Sequence, residues 1–213
     1  MNPWTKGPIP HRGFRPRRLL ALASLVAISC SDPFALRDGE IPEPLPDWWR
    51  SPTQPHMVLD NLRALYIHSA PTVIGRLLDD RAFLFVPDGA DTVARAGVNM
   101  LSGDQEISVT RSMLESATSD SAPLPFLLLS EEPSFPDRAS PIDTVTLVRR
   151  YELVLYDPFG RGDPEPVRAE GTAVFLLSED VGRSDWRILT WTDRRGGTTW
   201  SWGQVKLEIA GDG

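Results

Sequence analysis

Three stretches near the end of the chain decide its fold: VTLVRRYELVLY at residues 145–156, VRAEGTAVFLLS at 167–178 and WRILTWTD at 186–193. Apolar and polar residues alternate in the first two, which is the period of a strand with one buried face. The residues that share this face are Val145, Leu147, Tyr151, Leu153 and Leu155 in the first stretch, and Val167, Ala169, Gly171, Ala173 and Phe175 in the second. The segment between them, DPFGRGDP at 157–164, is rich in turn-forming residues. The three stretches therefore predict an antiparallel meander.

Helical patterns come before these strands. Over residues 58–66 apolar side chains recur at intervals of three and four, which indicates an amphipathic helix. We expect a second, short helix with Ser69 as its N-cap, and a short strand over 82–87. Ser102 and Gln105 form a capping-box pattern that opens a third helix. Helices followed by a run of long antiparallel strands are typical of the α+β class.

The chain resembles a known family in several short motifs. These are PHMVLDNL at 55–62, LLDD at 77–80, FLF at 83–85, WRI at 186–188, WTD at 191–193 and TWSWGQVK at 199–206. They are similar to the nuclear-transport-factor-2-like (NTF2-like, also cystatin-like or SnoaL-like) domains of bacterial envelope lipoproteins. The chain departs from that pattern at Gln54 and Ile74. The resemblance implies a domain over 53–209 in which a curved antiparallel sheet wraps around N-terminal helices and forms a cone with a pocket.

The beginning of the chain has the composition of a lipoprotein signal peptide over residues 1–29. Five basic residues and no acidic one lie in the first 18 positions, and the ten apolar residues 19–28 follow. This run is too short to span a bilayer, which needs about 20 apolar residues. Cys30, the only cysteine, stands where the thiol of a lipobox is lipidated. An ordinary secretory signal with a cysteine there by chance is the alternative.

The sequence around Cys30 also predicts a location. Ser31 is not a signal for inner-membrane retention, so we expect a lipid-anchored protein of the outer membrane that faces the periplasm or the cell surface. Residues 30–52 are rich in proline and acidic side chains, which favours an extended tether. Trp48 and Trp49 interrupt this tether, and they either dock onto the domain or contact a partner.

Charge excludes one class of function. The whole chain carries a formal net charge of −7, and removal of the five basic residues of the signal would leave a mature chain near −12. Nucleic-acid binding needs clustered basic residues, so we do not expect it. The acidic balance also disfavours electrostatic attraction to anionic lipid, so the lipid on Cys30 would provide the anchor.

Few residues carry the marks of catalysis. Enzymes of the resembled fold place an acidic or histidine base inside the cone, where burial raises a carboxyl pKa. Asp193 and Glu152 are the weak catalytic candidates, with Tyr66 and Tyr151 as hydrogen-bond donors. Asp193 could instead cap a turn, and Glu152 could pair with Arg168 across the hairpin. We expect no cofactor and no metal site, because the two histidines after the signal, His56 and His68, lack a metal-binding spacing.

The candidates for ligand binding are Tyr66, Arg149, Tyr151 and Trp191. Alternation places Arg149 on the apolar face of its strand, where a charge needs a partner or a cavity, unless a bulge turns it into solvent. Trp191 belongs to a group with Trp186, Trp200 and Trp202, which forms either core or a ligand cage.

Three functions fit these patterns. The first is a membrane-anchored, non-enzymatic module that binds a small apolar molecule or an envelope protein. The second is a small-molecule isomerase, dehydratase or hydrolase that uses a pocket carboxylate. The third is a structural envelope protein that dimerises through the open face of its sheet.

Overall fold

We describe the protein from a computed structural model. It covers residues 44–94, 99–116, 123–140, 143–163, 165–180, 182–197 and 200–211. Cys30, the predicted signal and most of the predicted tether lie outside these ranges. The compact unit begins at Leu45, earlier than the predicted boundary at residue 53.

The centre of the domain is an open, curved sheet of seven strands. The strands are β1 (Leu84–Val86), β2 (Leu101–Ser102), β3 (Phe126–Glu131), β4 (Arg138–Ser140), β5 (Thr144–Leu155), β6 (Val167–Asp180) and β7 (Asp185–Arg195). Their order is β2-β1-β7-β6-β5-β3, and β4 pairs with β5 beside β3. The antiparallel meander β5-β6-β7 is confirmed. The predicted curved sheet is antiparallel in its long strands and mixed as a whole, because β1 runs parallel to β7.

The long hairpin keeps one register throughout. β5 and β6 pair without interruption from Thr144 opposite Ser178 to Leu155 opposite Val167. The irregularity in the meander lies elsewhere, between Leu176 and Leu177 where β6 meets β7. The alternative in which a bulge turns Arg149 into solvent is therefore wrong, and this arginine stays on the apolar face of the sheet.

Within the described residues, four α-helices accompany the sheet: α1 (Pro55–Ile67), α2 (Gly89–Ala94), α3 (Gly103–Ser116) and α4 (Trp202–Gly211). The capping box of α3 is confirmed, since the Ser102 N–H donates to Gln105 Oε1 at 2.9 Å and the Gln105 N–H donates to Ser102 Oγ at 3.4 Å. The predicted second helix is a 3₁₀ helix, Pro71–Arg76, and its N-cap is Ala70 rather than Ser69.

All helix packing that defines the core is on one side of the sheet. Helices α1, α3 and α4 contact this side, which we call the inner face. Inward side chains such as Leu153 and Phe175 are fully buried. On the opposite, outer face, Val174 and Leu176 remain half-buried. The inner face and the helices thus share one hydrophobic core, while the outer face meets solvent.

The segment that leads into the domain is attached at several points. Trp48 and Trp49 pack against the core, and the Trp48 ring stacks on His68 with 5.3 Å between ring centroids. Asn61 holds the backbone of Arg50 twice, because its Oδ1 accepts from the Arg50 N–H at 3.2 Å and its Nδ2 donates to the Arg50 carbonyl at 2.6 Å. We call this pair of bonds the Asn61 clamp. The docking of both tryptophans, one of the two predicted alternatives, is thereby confirmed.

Among the residues that the structure describes, no helix combines the length and the apolar character that a bilayer span requires.

The close approach of β6 to β7 depends on a glycine. A Cβ added at Gly171 would lie 2.3 Å from the Arg194 carbonyl oxygen and 2.6 Å from the Tyr151 hydroxyl. We expect Gly171→Ala to lower the free energy of unfolding by about 1–3 kcal/mol, because backbone and core must shift to admit the methyl group. Gly197→Ala is the matched control, since a Cβ there meets nothing within 4 Å. Urea unfolding measures both, and equal stability of the two variants would contradict this packing.

Candidate functional site

The last helix enters the space where a cone would have its pocket. Helix α4 begins at an N-cap, Ser201, whose Oγ accepts from the Gln204 N–H at 2.8 Å. The Ser201 hydroxyl in turn donates to a carboxylate oxygen of Asp91. Ser201 and Asp91 are both buried. These contacts direct the first turn of α4 into the interior of the domain.

Trp202, in that first turn, fills the centre of the interior. Its indole N–H donates to the Tyr66 hydroxyl at 3.0 Å, and its backbone N–H donates to the Tyr151 hydroxyl at 2.9 Å. Its ring meets Trp191 edge-on, with 4.3 Å between centroids and 83° between planes. Burial raises the pKa of both tyrosines, so both hydroxyls keep their protons.

Asp193 lies beside this aromatic group. Its Oδ2 accepts from the Gly203 N–H at 2.6 Å, and only 1% of the residue is exposed. Burial raises the pKa of its carboxyl group to about 6, against the opposing effects of the Gly203 N–H and the Tyr151 hydroxyl. The carboxylate has the raised pKa of a general base, but its bonded oxygen faces the backbone of α4.

A buried ion pair lies next to Asp193. Lys206 Nζ is 2.6 Å from Glu106 Oε1, and neither side chain is exposed at all. Thr110 also donates to that oxygen, at 3.0 Å. The ammonium group lies 3.4 Å from the ring centroid of Trp191 and 4.0 Å from that of Phe85, so it is surrounded by aromatic faces. Burial lowers the pKa of Lys206, and Glu106 opposes this shift.

The structure brings four of the candidates from the sequence together. Tyr66, Tyr151, Trp191 and Asp193 all surround Trp202, and none of the four is more than 2% exposed. The aromatic group is therefore divided: Trp191 and Trp202 are core, while Trp186 and Trp200 are half-buried at its border. The interior contains the residue types of a ligand cage, but the occupants of the cage are Trp202 and Lys206 of the chain itself.

The remaining two candidates lie elsewhere. Glu152 is on the outer face, where it lies directly opposite Glu170 and pairs with Arg168 diagonally across the hairpin at 3.8 Å. Arg149 is on the inner side and buried, and it binds both carboxylate oxygens of Asp137 at 2.7 and 2.9 Å. Arg149 therefore has the partner that its position on the apolar face requires, and it lowers the pKa of Asp137.

Several interior residues were missed at the level of sequence. Helix α4 was not predicted, although Ser201 and Gln204 have the spacing of a capping box. Lys206 and Glu106 gave no signal, because a single charge in a helix is ordinarily exposed. No cluster of three or more histidine, aspartate or glutamate side chains suited to a metal ion occurs among the described residues.

Two recesses open on the outer face of the sheet. The first, of about 460 Å³, has a lining of mixed charge that includes Arg150, Glu152 and Glu170. The second, of about 420 Å³, includes Val148, Val174 and three arginines, Arg138, Arg194 and Arg195, and we call it the arginine recess. Thr172 contributes to both. These recesses, in contrast to the filled interior, are open to a ligand.

The buried carboxyl group predicts a dependence of stability on pH. Because the pKa of Asp193 rises from 3.8 to about 6 on folding, the native state keeps a proton that the unfolded chain releases between these values. Stability from this group is thus present at low pH and is lost as pH rises through 6. Lowering the pH from 7 to 4 should add about 2 kcal/mol through Asp193.

Asp193→Asn should remove this contribution, as measured by urea unfolding at a series of pH values. Glu152→Gln, which alters a carboxylate on the outer face, is the control and should keep the dependence of the native chain. The same pH dependence in Asp193→Asn and in the native chain would show that Asp193 is not the group responsible.

Comparisons with known proteins were made on sequence and on structure. No family model matches the chain, and no curated protein matches its sequence. A candidate aromatic ring hydroxylase from Novosphingobium aromaticivorans has a similar structure, with a TM-score of 0.50 and 13% identity over 76% of this chain and 99% of the other. A protein of unknown function from Mycobacterium tuberculosis also has a TM-score of 0.50, with 9% identity over 74% of this chain and 84% of the other.

A nuclear transport factor 2 superfamily protein from Salmonella enterica serovar Typhimurium has a TM-score of 0.49 and 11% identity, over 67% of this chain and 88% of the other. At such low identities a likeness concerns the fold alone. The open curved sheet, the helices on its inner face and the two likenesses at 0.50 agree with one another. The described domain therefore has an α+β fold in which an open curved sheet carries helices on one face, as the resemblance to NTF2-like domains predicts.

Proposed function

We propose that the chain is a bacterial envelope lipoprotein whose NTF2-like domain is a non-enzymatic binding module that uses the outer face of its sheet. The observation that carries this proposal is the filled interior. Trp191, Trp202 and Lys206 have no exposed surface, and they occupy the space around Asp193. A ligand that enters the cone would have to displace helix α4, whereas a ligand on the outer face displaces no part of the described domain.

The interior geometry argues against the enzymatic alternative. A general base must come within about 3 Å of the proton that it abstracts. Asp193 Oδ2 is already bonded to the Gly203 N–H at 2.6 Å, and a Cβ added at Gly203 would lie 3.0 Å from the same oxygen. With α4 in place there is no room for a substrate atom between them, so the raised pKa of Asp193 reflects its burial in the core.

Anchoring rests on the sequence around Cys30. A diacylglycerol on the thiol provides two acyl chains, which is enough for stable attachment, whereas a single chain binds only marginally. Because the chain is acidic, electrostatic attraction to anionic lipid would not replace the lipid anchor. We therefore propose that Cys30 holds the domain at the membrane, on the periplasmic side or at the cell surface.

Self-association is a second candidate, favoured by one observation. Phe126 and Leu128 of β3 point to the outer face and are 45% and 42% exposed. β3 is at the edge of the sheet, where unpaired backbone groups can join another strand. Sedimentation velocity tests this candidate, since a monomer at high concentration would exclude stable dimers.

The anchor is tested by Cys30→Ser in a bacterial host. We expect the native chain in the membrane fraction and the variant in the soluble envelope fraction, because the serine hydroxyl does not replace the lipidated thiol. Mass spectrometry of the native chain should show the added lipid. Ser31→Ala is the control and should stay in the membrane. Membrane retention of Cys30→Ser after a salt wash would contradict the anchor.

The binding surface is tested by a comparison of two variants. Native mass spectrometry of the chain purified from envelopes should show a bound molecule. Thr172→Trp places a large side chain between the two outer recesses, and we expect it to abolish this binding. Asp193→Asn alters only the interior and should leave binding unchanged. Loss of the bound molecule in Asp193→Asn, with retention in Thr172→Trp, would place the ligand in the cone and overturn the proposal.

A further inference from the structure

We propose that the arginine recess binds an amphipathic anion, a molecule with an apolar body and a single anionic head such as a carboxylate. This inference rests on the proposed function and names the class of ligand for its outer face. It follows from the arrangement of the recess, from its charge and from the poor fit of the alternative occupant, a second copy of the chain.

Strand register gives the recess an apolar floor between two cationic corners. Val148 of β5 is paired with Val174 of β6, and both point outward to form the floor. The next outward pair towards the start of β5 is Thr146 with Leu176, and Arg138 of β4 lies opposite Thr146. The next outward pair towards the end of β5 is Arg150 with Thr172, and Arg194 of β7 lies opposite Thr172. Successive outward pairs are about 7 Å apart, so both arginine side chains reach the edges of the floor.

The charge of the recess is the opposite of the charge of the chain. Three arginines line it, and its described lining contains no carboxylate, although the chain has a net charge of −7. Arg195 is already engaged with Gln204 at 3.1 Å and with Asp91 at 3.7 Å. Arg138 and Arg194 form no ion pair within the described ranges. Two unpaired guanidinium groups beside one recess attract an anion.

Arginines without an ion-pair partner are not a general property of the outer face, as the neighbouring recess shows. There, Arg150 pairs with Glu132 at 3.1 Å, and Glu152 and Glu170 belong to the lining. Arginine charge is thus compensated in the first recess and left uncompensated in the arginine recess. Specific binding of a carboxylate by guanidinium groups is strongest where no protein carboxylate competes.

The body of the ligand is apolar because the floor is. Because Val148 is only 8% exposed, the apolar surface offered to a ligand comes mainly from Val174, which is half-buried, and from Phe135 at the rim, which is 51% exposed. The volume of about 420 Å³ lies within the range of about 300–1,000 Å³ that is usual for small-molecule sites. A short alkyl chain or a pair of aromatic rings is of suitable size, and burial of its apolar surface provides the affinity that the head group alone lacks.

A second copy of the chain is the less suitable occupant. In a symmetric dimer the same patch lies on both sides of the interface. A contact centred on the arginine recess would therefore bring Arg138 and Arg194 towards the same two residues of the other copy, and like charges in an interface are unfavourable. An anionic small molecule meets the same recess with the complementary charge.

Calorimetric titration with dodecanoate below its micelle concentration tests the inference on the full chain with Cys30→Ser. Dodecan-1-ol has the same apolar body without the charge and should bind at least about tenfold more weakly. We expect the double variant Arg138→Gln/Arg194→Gln to weaken dodecanoate binding by at least about tenfold. Arg168→Gln removes an outer-face arginine that does not line the recess, and it should change binding less than about twofold.

The basic residues before Leu19 are common to every variant, so the comparison isolates the two arginines. Equal weakening by Arg168→Gln, or equal binding of dodecan-1-ol, would overturn the inference. Stronger self-association of the double variant would also overturn the inference, because the recess would then be a contact between two copies of the chain. A further result would be that Thr172→Trp abolishes binding of the envelope molecule while Arg138→Gln/Arg194→Gln still binds it. This result would be compatible with the proposed function and would overturn only the present inference.

Discussion

The burial of Lys206 against Glu106 is the interaction on which the rest of the structure depends. Removing two charges from water costs several kcal/mol for each, and only good geometry compensates for it. Here the compensation comes from the 2.6 Å ion pair, from the Thr110 hydroxyl and from the aromatic rings around the ammonium group. These contacts exist in one position of helix α4 only. The ion pair therefore fixes the helix, and the helix places Trp202 in the centre of the domain.

This arrangement converts a fold with room for a pocket into one with a packed core. The packed core contains buried polar atoms without a hydrogen-bond partner in the part of the chain that the structure describes. These atoms are Glu106 Oε2, Asp193 Oδ1 and the indole nitrogen of Trp191. Unpaired buried atoms of this kind lower stability. A buried ion pair with such neighbours contributes to a unique position of α4 more than to the free energy of folding. The outer face, where we propose that binding takes place, carries the arginine recess, whose positive charge is opposite to the net charge of the chain.

Local patterns were readable in the sequence, and distant pairings were not. The alternation in β5 and β6 predicted both strands, because strand periodicity is a property of neighbouring residues. Whether Arg149 faced the core depended on the register with β6 and on Asp137, which no local pattern specifies. The parallel pairing of β1 with β7 joins segments about a hundred residues apart in the sequence. The short apolar run of β1 does not indicate which strand it pairs with. Lys206 is informative only together with Glu106, since a single lysine in a helix is ordinarily a surface residue.

The Asn61 clamp would have a mechanical consequence for a domain that is anchored through Cys30, as we propose. The two bonds between Asn61 and Arg50 lie side by side, and the Trp186 N–H adds a third bond, to the Pro52 carbonyl at 2.8 Å. Tension applied through the residues before Leu45 would reach these bonds before it reached the sheet. Because both clamp bonds hold the backbone of one residue, Arg50, such a load would fall on the two bonds at once. Under this proposal the segment from Leu45 to Pro52 would take up the load, and movement of the anchor would not disturb the outer face of the sheet.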